Sequence, residues 1–172
     1  MANRGEALEK YILSRCHADG YRLLSKTDPP VRIIRWLPGN QFKGAYLEDG
    51  KLDLTGSASG YHVEIEVKDC QGMRWPLSKL RKHQLQQMKD LQRDTALSGL
   101  ALRLRGVHAD DDYVYLIPAR RVIDFIEAEK KSITLKDLQL LEEQGLVVHH
   151  IYSQQGSIKA FFKLVIDTFT ED

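Results

Sequence analysis

The chain has 172 residues, 42% hydrophobic and 28% charged, long enough for one domain with a buried core and unlike disordered, collagen-like or low-complexity chains. No stretch approaches the ~20 apolar residues of a membrane span, and the N-terminal MANRGEALEK lacks the apolar run of a secretory signal, which points to the cytoplasm. Cys16 and Cys70 form no disulfide framework or zinc pattern and are expected as reduced thiols. The net charge of +1, taken alone, argues against a nucleic-acid partner.

Along the chain the charge is segregated. Residues 71–107 hold eight basic residues, Arg74, Lys79, Arg81, Lys82, Lys89, Arg93, Arg103 and Arg105, against Asp90 and Asp94, for a net +6. Residues 1–40 carry +3, residues 41–70 carry −3 and residues 108–143 carry −4. One side facing an anion and one solvated side would account for this. So would a basic helix that is simply a solvated face.

No period repeats and no Gly/Ser/Pro linker divides the chain, so residues 1–172 are read as a single domain. Leu8, Tyr11, Ile12 and Cys16 recur at spacings of three and four, which predicts a helix over residues 5–17. Lys26-Thr27-Asp28-Pro29-Pro30 cannot continue a helix, because proline lacks a donor and biases its predecessor toward extended geometry. Val31–Leu37 reads as extended, ending at the turn Pro38-Gly39-Asn40. A further extended piece over residues 45–55 is broken at Glu48-Asp49-Gly50.

The clearest strand is Tyr61–Lys68, with Val63, Ile65 and Val67 on one face and His62, Glu64, Glu66 and Lys68 on the other. A helix is expected over Leu77–Arg93, with Leu77, Leu80, Met88 and Leu91 inward. Leu100–Arg105 alternates as a strand would, and Tyr113–Ile117 reads likewise. Arg120–Glu129 and Thr134–Gln144 look helical, the second opened by a threonine cap and closed by Gly145. Ile158, Phe161, Phe162, Val165, Ile166 and Phe169 follow helical spacing, so an extra C-terminal helix is expected over 157–168. The order implies α/β with a mixed central sheet.

Period two places Glu64, Glu66 and Lys68 side by side on one face of their strand. Buried, they would be costly unless paired or ion-bound; exposed, they would need no explanation. Asp53 precedes Glu66 by 13 residues, with the turn Gly56-Ser57-Ala58-Ser59-Gly60 between them. Two strands returning antiparallel through that turn would bring Asp53 opposite Glu66. Carboxylates so placed suit a hard cation such as Mg²⁺, which keeps water and substrate phosphate in its shell and activates a bound water. A neighbouring lysine can orient that water or offset charge on the phosphoryl oxygens. Gln84, four residues from both Leu80 and Met88, falls on the inward helix face and needs a polar partner. A backbone group would serve, and so would the site. Lys79, Arg81 and Lys82 lie nearby and suit phosphate contacts. His149-His150 is read as structural because neighbouring strand residues point oppositely, and Asp110-Asp111-Asp112 as a solvated loop.

At these residues the chain resembles a known family. Asp53 through Glu66-Val67-Lys68 resembles the PD-(D/E)xK nuclease signature, and its surroundings resemble the RecU-type Holliday junction resolvases. Asn3-Arg4-Gly5 with Glu9, Gly56 with Gly60, Pro76-Leu77, His83-Gln84 with Met88, Lys131-Ser132-Ile133-Thr134-Leu135 and Gly145 all match family motifs. The resemblance covers about residues 3–150.

It implies a restriction-endonuclease-like core with a mixed central sheet flanked by helices, a homodimer, and Mg²⁺ or Mn²⁺ dependence. The activity implied is paired phosphodiester hydrolysis in a four-way DNA junction, in recombination and repair. By position Asp53 and Glu66 would be metal ligands, with the Val67 carbonyl completing the shell, and Lys68 the water-positioning or charge-stabilising lysine. Glu9 would be an accessory carboxylate and Gln84 an accessory polar group. The family's protruding stalk hairpin corresponds to about residues 30–45, with Arg32, Arg35, Trp36 and Lys43 available to DNA. Arg4, Arg74, Lys79, Arg81 and Lys82 are further candidates for DNA contact. The family's Lys-Pro-Thr-Pro run is replaced here by Lys26–Pro30, and its usual phenylalanine by Ile65. Two alternatives stand beside this reading: a related nuclease acting on linear or flap DNA, and a branched-DNA-binding protein that does not cut.

Overall fold

Leu8, Ile12 and Cys16 do share the inner face of a helix, α1 (Arg4–Ala18), and all three are buried. The computed structural model describes residues 4–20, 25–26, 31–38, 41–46, 51–58, 60–94, 96–107, 113–151 and 161–163. After α1 come β1 (Ser25–Lys26), β2 (Val31–Leu37), β3 (Gln41–Tyr46), β4 (Leu54–Ala58), β5 (Tyr61–Gln71) and β6 (Arg74–Pro76). A 3₁₀ turn (Leu77–Lys79) leads into α2 (Lys82–Arg93), followed by β7 (Leu97–Arg105), β8 (Tyr113–Pro118) and α3 (Ala119–Glu127). Then come β9 (Ser132–Thr134), α4 (Leu135–Glu143) and β10 (Val148–Ile151).

Among the described residues six strands form one sheet in the order β1-β4-β5-β7-β8-β10. All neighbours are antiparallel except β5 and β7, which run parallel with β6 and α2 in the crossover between them. The sheet is therefore mixed, as expected, and parallel strands need such a long return. Both faces are covered. Val63, Ile65, Val67, Ala101 and Leu116 pack with α1 and Phe161-Phe162 on one side. Leu100, Leu102, Tyr115 and Ile117 pack with Trp75, Met88, Leu91, Val122 and Phe125 on the other. Gly99 makes the first face possible: a Cβ there would come within 2.7 Å of both the Ile117 carbonyl oxygen and the Phe161 ring.

Three expectations change. The helix foreseen from Leu77 starts only at Lys82, because Leu80 and Arg81 are extended. Leu77 and Leu80 still reach the core, from the 3₁₀ turn. β7 does not alternate: every residue from Leu97 to Leu104 is buried, since a central strand covered on both faces has no wet side. The glycine-rich turn is shorter than its composition suggested. Gly56, Ser57 and Ala58 pair with Val63, His62 and Tyr61, and the turn retains Gly60, whose φ of +88° favours a residue without a Cβ. The extended piece at 45–55 is divided as expected, Ala45 lying in β3 and Thr55 in β4.

β2 and β3 form a separate antiparallel hairpin with a register shift between Ile33 and Arg35, at the place expected for the stalk. β6 and β9 form a second small sheet that brings Ser132–Thr134 beside Arg74–Pro76. Thr134 caps α4, its hydroxyl accepting from the Asp137 amide at 3.2 Å, and Gly145 follows with φ +71°. Both cysteines are free and buried, and burial pushes the Cys16 thiol up to about 12. His149 and His150 occupy successive positions of β10. Asp110–Asp112, Thr27–Pro30 and most of the expected C-terminal helix lie outside the described residues, apart from the helical turn 161–163. Among the described residues no helix is long and apolar enough to cross a membrane.

Candidate active site

The polar face of β5 is buried like the apolar one. Glu64 and Glu66 are 1% and 0% exposed, and α2 lies over that face through Gln84 and Gln87. A pair of carboxylates so deep in the protein demands partners, and each glutamate finds a different set.

Asp53 reaches Glu66 because β4 stops. Leu54 pairs with Ile65, so one further step would set Asp53 opposite Glu66. Strand pairing ends there, and the Asp53 Oδ2 accepts the Val67 N–H at 2.8 Å instead. The Asp53 and Glu66 side chains lie in contact. Lys68, next on the same face, donates to Glu66 Oε1. Gln84 donates to that same oxygen at 2.6 Å. The Gln84 oxygen accepts the Arg81 N–H at 3.0 Å, capping the first turn of α2 and fixing the amide with its NH₂ toward Glu66.

The other oxygen of Glu66, Oε2, is buried and has no hydrogen-bond partner among the described residues. Burial, then the nearby Asp53 carboxylate, pushes the Glu66 carboxyl up to about 8, against the pull of the Lys68 ammonium. An orphaned buried acceptor beside a second carboxylate fits a bound cation, which supplies the missing charge. Among the described residues no cluster of three or more His, Cys, Asp or Glu side chains forms a metal cage. Mg²⁺ needs none, being held by one or two carboxylates with waters and substrate oxygens.

Glu64, given no role from the sequence, has its own set. Its Oε2 accepts the Leu52 N–H at 3.1 Å and the Gln87 amide at 3.2 Å, and its Oε1 lies 3.0 Å from His62 Nε2. Gln84 and Gln87, three apart on α2, thus meet Glu66 and Glu64, two apart on β5. Helical spacing alone could have flagged Gln87 as sharing the Gln84 face.

Two arginines of the basic block turn inward. Arg103 and Arg105 both pair with Asp69, Arg105 at 2.5 Å, and Arg103 and Asp69 are almost fully buried. Arg93 pairs with Asp90 on the surface. Arg74, Lys79, Arg81 and Lys82 are exposed along the segment that links β5 to α2, the last two beside Gln84. Arg32, Arg35, Trp36 and Lys43 belong to the β2–β3 hairpin, where the register sets Arg35 across from Lys43. Arg4 opens α1. Glu9 sits on α1, which packs on the β5 face opposite Gln84, so Glu9 is in the layer on the far side of the sheet.

A mixed sheet whose central strand carries Glu66-Val67-Lys68, with an aspartate delivered from the end of the neighbouring strand, is the arrangement of a PD-(D/E)xK nuclease. The chain belongs to the RecU family, whose model, described as Recombination protein U, matches residues 3–161. It is 25% identical to the Holliday junction resolvase RecU of Staphylococcus epidermidis, over 95% of this chain and 82% of that protein. The RecU of Staphylococcus aureus is 26% identical over the same shares, and that of Streptococcus pneumoniae 25% identical over 84% of this chain and 75% of its own length. Among solved structures, the Holliday junction resolvase Hjc of Archaeoglobus fulgidus aligns with a TM-score of 0.49 at 14% identity, over 79% of this chain and 93% of that one.

Proposed function

We propose that this chain is a cytoplasmic, metal-dependent endodeoxyribonuclease that resolves four-way DNA junctions. It forms a single domain and acts as a homodimer, two sites cutting opposing strands. The observation that carries the reading is the buried Glu66 carboxylate, with Oε2 unpartnered among the described residues and the Asp53 side chain against it.

Asp53 and Glu66 would hold Mg²⁺ or Mn²⁺. The Val67 N–H already turns toward Asp53, and the N–H and C=O of one strand residue point to the same edge, so the Val67 carbonyl completes the shell. When bound, the cation polarises the scissile phosphate and lowers the pKa of a water. Lys68, one-fifth exposed, positions that water or neutralises charge on the phosphoryl oxygens. Gln84 keeps Glu66 oriented through the hydrogen bond they share. Glu9 takes no part in this shell, since α1 packs on the β5 face opposite Glu66.

DNA binding falls to the exposed Arg74, Lys79, Arg81 and Lys82, with Arg4 and the hairpin residues Arg32, Arg35, Trp36 and Lys43. Facing basic positions such as Arg35 and Lys43 suit a phosphodiester between them, and Trp36 suits base stacking. The test is incubation with a four-way junction, a matched linear duplex and a flap, with and without Mg²⁺. Symmetric nicks confined to the junction are expected. Equal cutting of the linear duplex would overturn the substrate assignment.

A further inference from the structure

We infer that Glu64 is a positioning residue for the metal site, holding the segment that carries Asp53. This rests on the metal-site reading above and adds a residue to it.

The segment 51–53 leaves β4 where strand pairing ends, so no ladder fixes Asp53. Two hydrogen bonds of opposite sense replace it. The Leu52 N–H donates to the Glu64 carboxylate on β5, and the Val67 N–H on β5 donates to the Asp53 carboxylate. Glu64 thus clamps the residue just before Asp53. The Leu52 side chain, fully buried in the core under α2, anchors the same point from its other end. Gln87 and His62 supply the other donors to Glu64. Three donors converge on two oxygens, and a neutral glutamine in this place would offer a single acceptor. Second-layer partners of this kind orient metal ligands.

The test uses the whole chain, free of DNA and metal, as wild type, Asp53→Ala, Glu64→Gln and Gln87→Leu. Mn²⁺ binding is followed by titration calorimetry, Leu52 amide exchange by NMR, and junction cleavage across a Mg²⁺ series. Glu64→Gln is expected to weaken Mn²⁺ binding about 10–100-fold and to speed exchange of the Leu52 amide. Its cleavage should recover most of the wild-type rate at high Mg²⁺, which a merely structural defect would not do. Gln87→Leu, the variant to read if Glu64→Gln fails to fold, shifts all three in the same direction by less. Wild-type Mn²⁺ affinity and wild-type Leu52 exchange in Glu64→Gln would overturn the inference while Asp53→Ala still abolishes Mn²⁺ binding. Unchanged Mn²⁺ binding in Asp53→Ala would instead overturn the metal assignment itself, and this role with it.

Discussion

Gln84 Nε2 lies 2.6 Å from Glu66 Oε1, while the oxygen of the same amide accepts the Arg81 N–H. One side chain therefore starts a helix and orients a buried carboxylate. The two jobs separate by substitution. Gln84→Glu retains a cap acceptor but sets a further carboxylate against Glu66, so cleavage should fall about 10–100-fold, with melting temperature nearly held at acid pH and lowered as pH rises and the buried carboxyls ionise. Gln84→Leu should lose about 1 kcal/mol of stability as well. Melting curves beside cleavage rates decide; equal behaviour of the two variants would contradict the double role.

Burial and Asp53 raise the Glu66 carboxyl from 4.5 to about 8. A raised acid stabilises the fold in its protonated form. That contribution is complete below about 4.5 and is lost as pH rises through about 8. Metal-free Glu66→Gln should therefore gain melting temperature relative to wild type between pH 5 and pH 9, and Mg²⁺ should close the gap by stabilising wild type alone. Parallel pH curves for the two proteins would refute the assignment.

Asp53→Asn preserves an acceptor for the Val67 N–H but removes the charge, and Lys68→Ala removes the ammonium beside Glu66. Each is expected to reduce junction cleavage by at least about a hundredfold, leaving gel-shift binding to the junction measurable. Persistent cleavage in either would sink the site assignment.

The basic block divides into two kinds of arginine. Replacing Arg74, Lys79, Arg81 or Lys82 by alanine should weaken DNA binding and reduce the salt slope by about one for each phosphate left without its cation, with little change in stability. Arg103→Ala should do the reverse, costing about 3–5 kcal/mol because the buried Asp69 loses a partner. Salt titrations and chemical denaturation separate the two sets.

Gly99 has no room for a methyl group between the Ile117 carbonyl and the Phe161 ring. Gly99→Ala is expected to cost about 1–3 kcal/mol without altering the Mg²⁺ dependence of cleavage in the fraction that folds. A denaturation midpoint equal to wild type would count against the packing of residues 161–163 on the sheet.

What the sequence determined by itself is the local pattern. Two-residue periodicity put Glu64, Glu66 and Lys68 on one face of β5, and helical spacing turned Gln84 inward, because both follow from chain geometry within a few residues. An antiparallel return through the glycine-rich turn brought Asp53 opposite Glu66, and motif resemblance added the family. Long-range placement was decided only in the tertiary structure. That the polar face of β5 is buried along with the apolar one depends on α2 crossing over it, and that α2 begins at Lys82 depends on a side-chain cap invisible to apolar periodicity. The +1 total, and even the +6 block, said little about the DNA-facing side, because Arg103 and Arg105 are drawn inward by Asp69, which no periodicity connects to them. Likewise the hold of Glu64 on Leu52 spans twelve residues and exists only where β4 ends. A carboxylate's partners are set by what folding brings within hydrogen-bond reach, and here that separates Glu66, left with one oxygen unpartnered among the described residues, from Glu64 on the same strand face, both of whose oxygens are held.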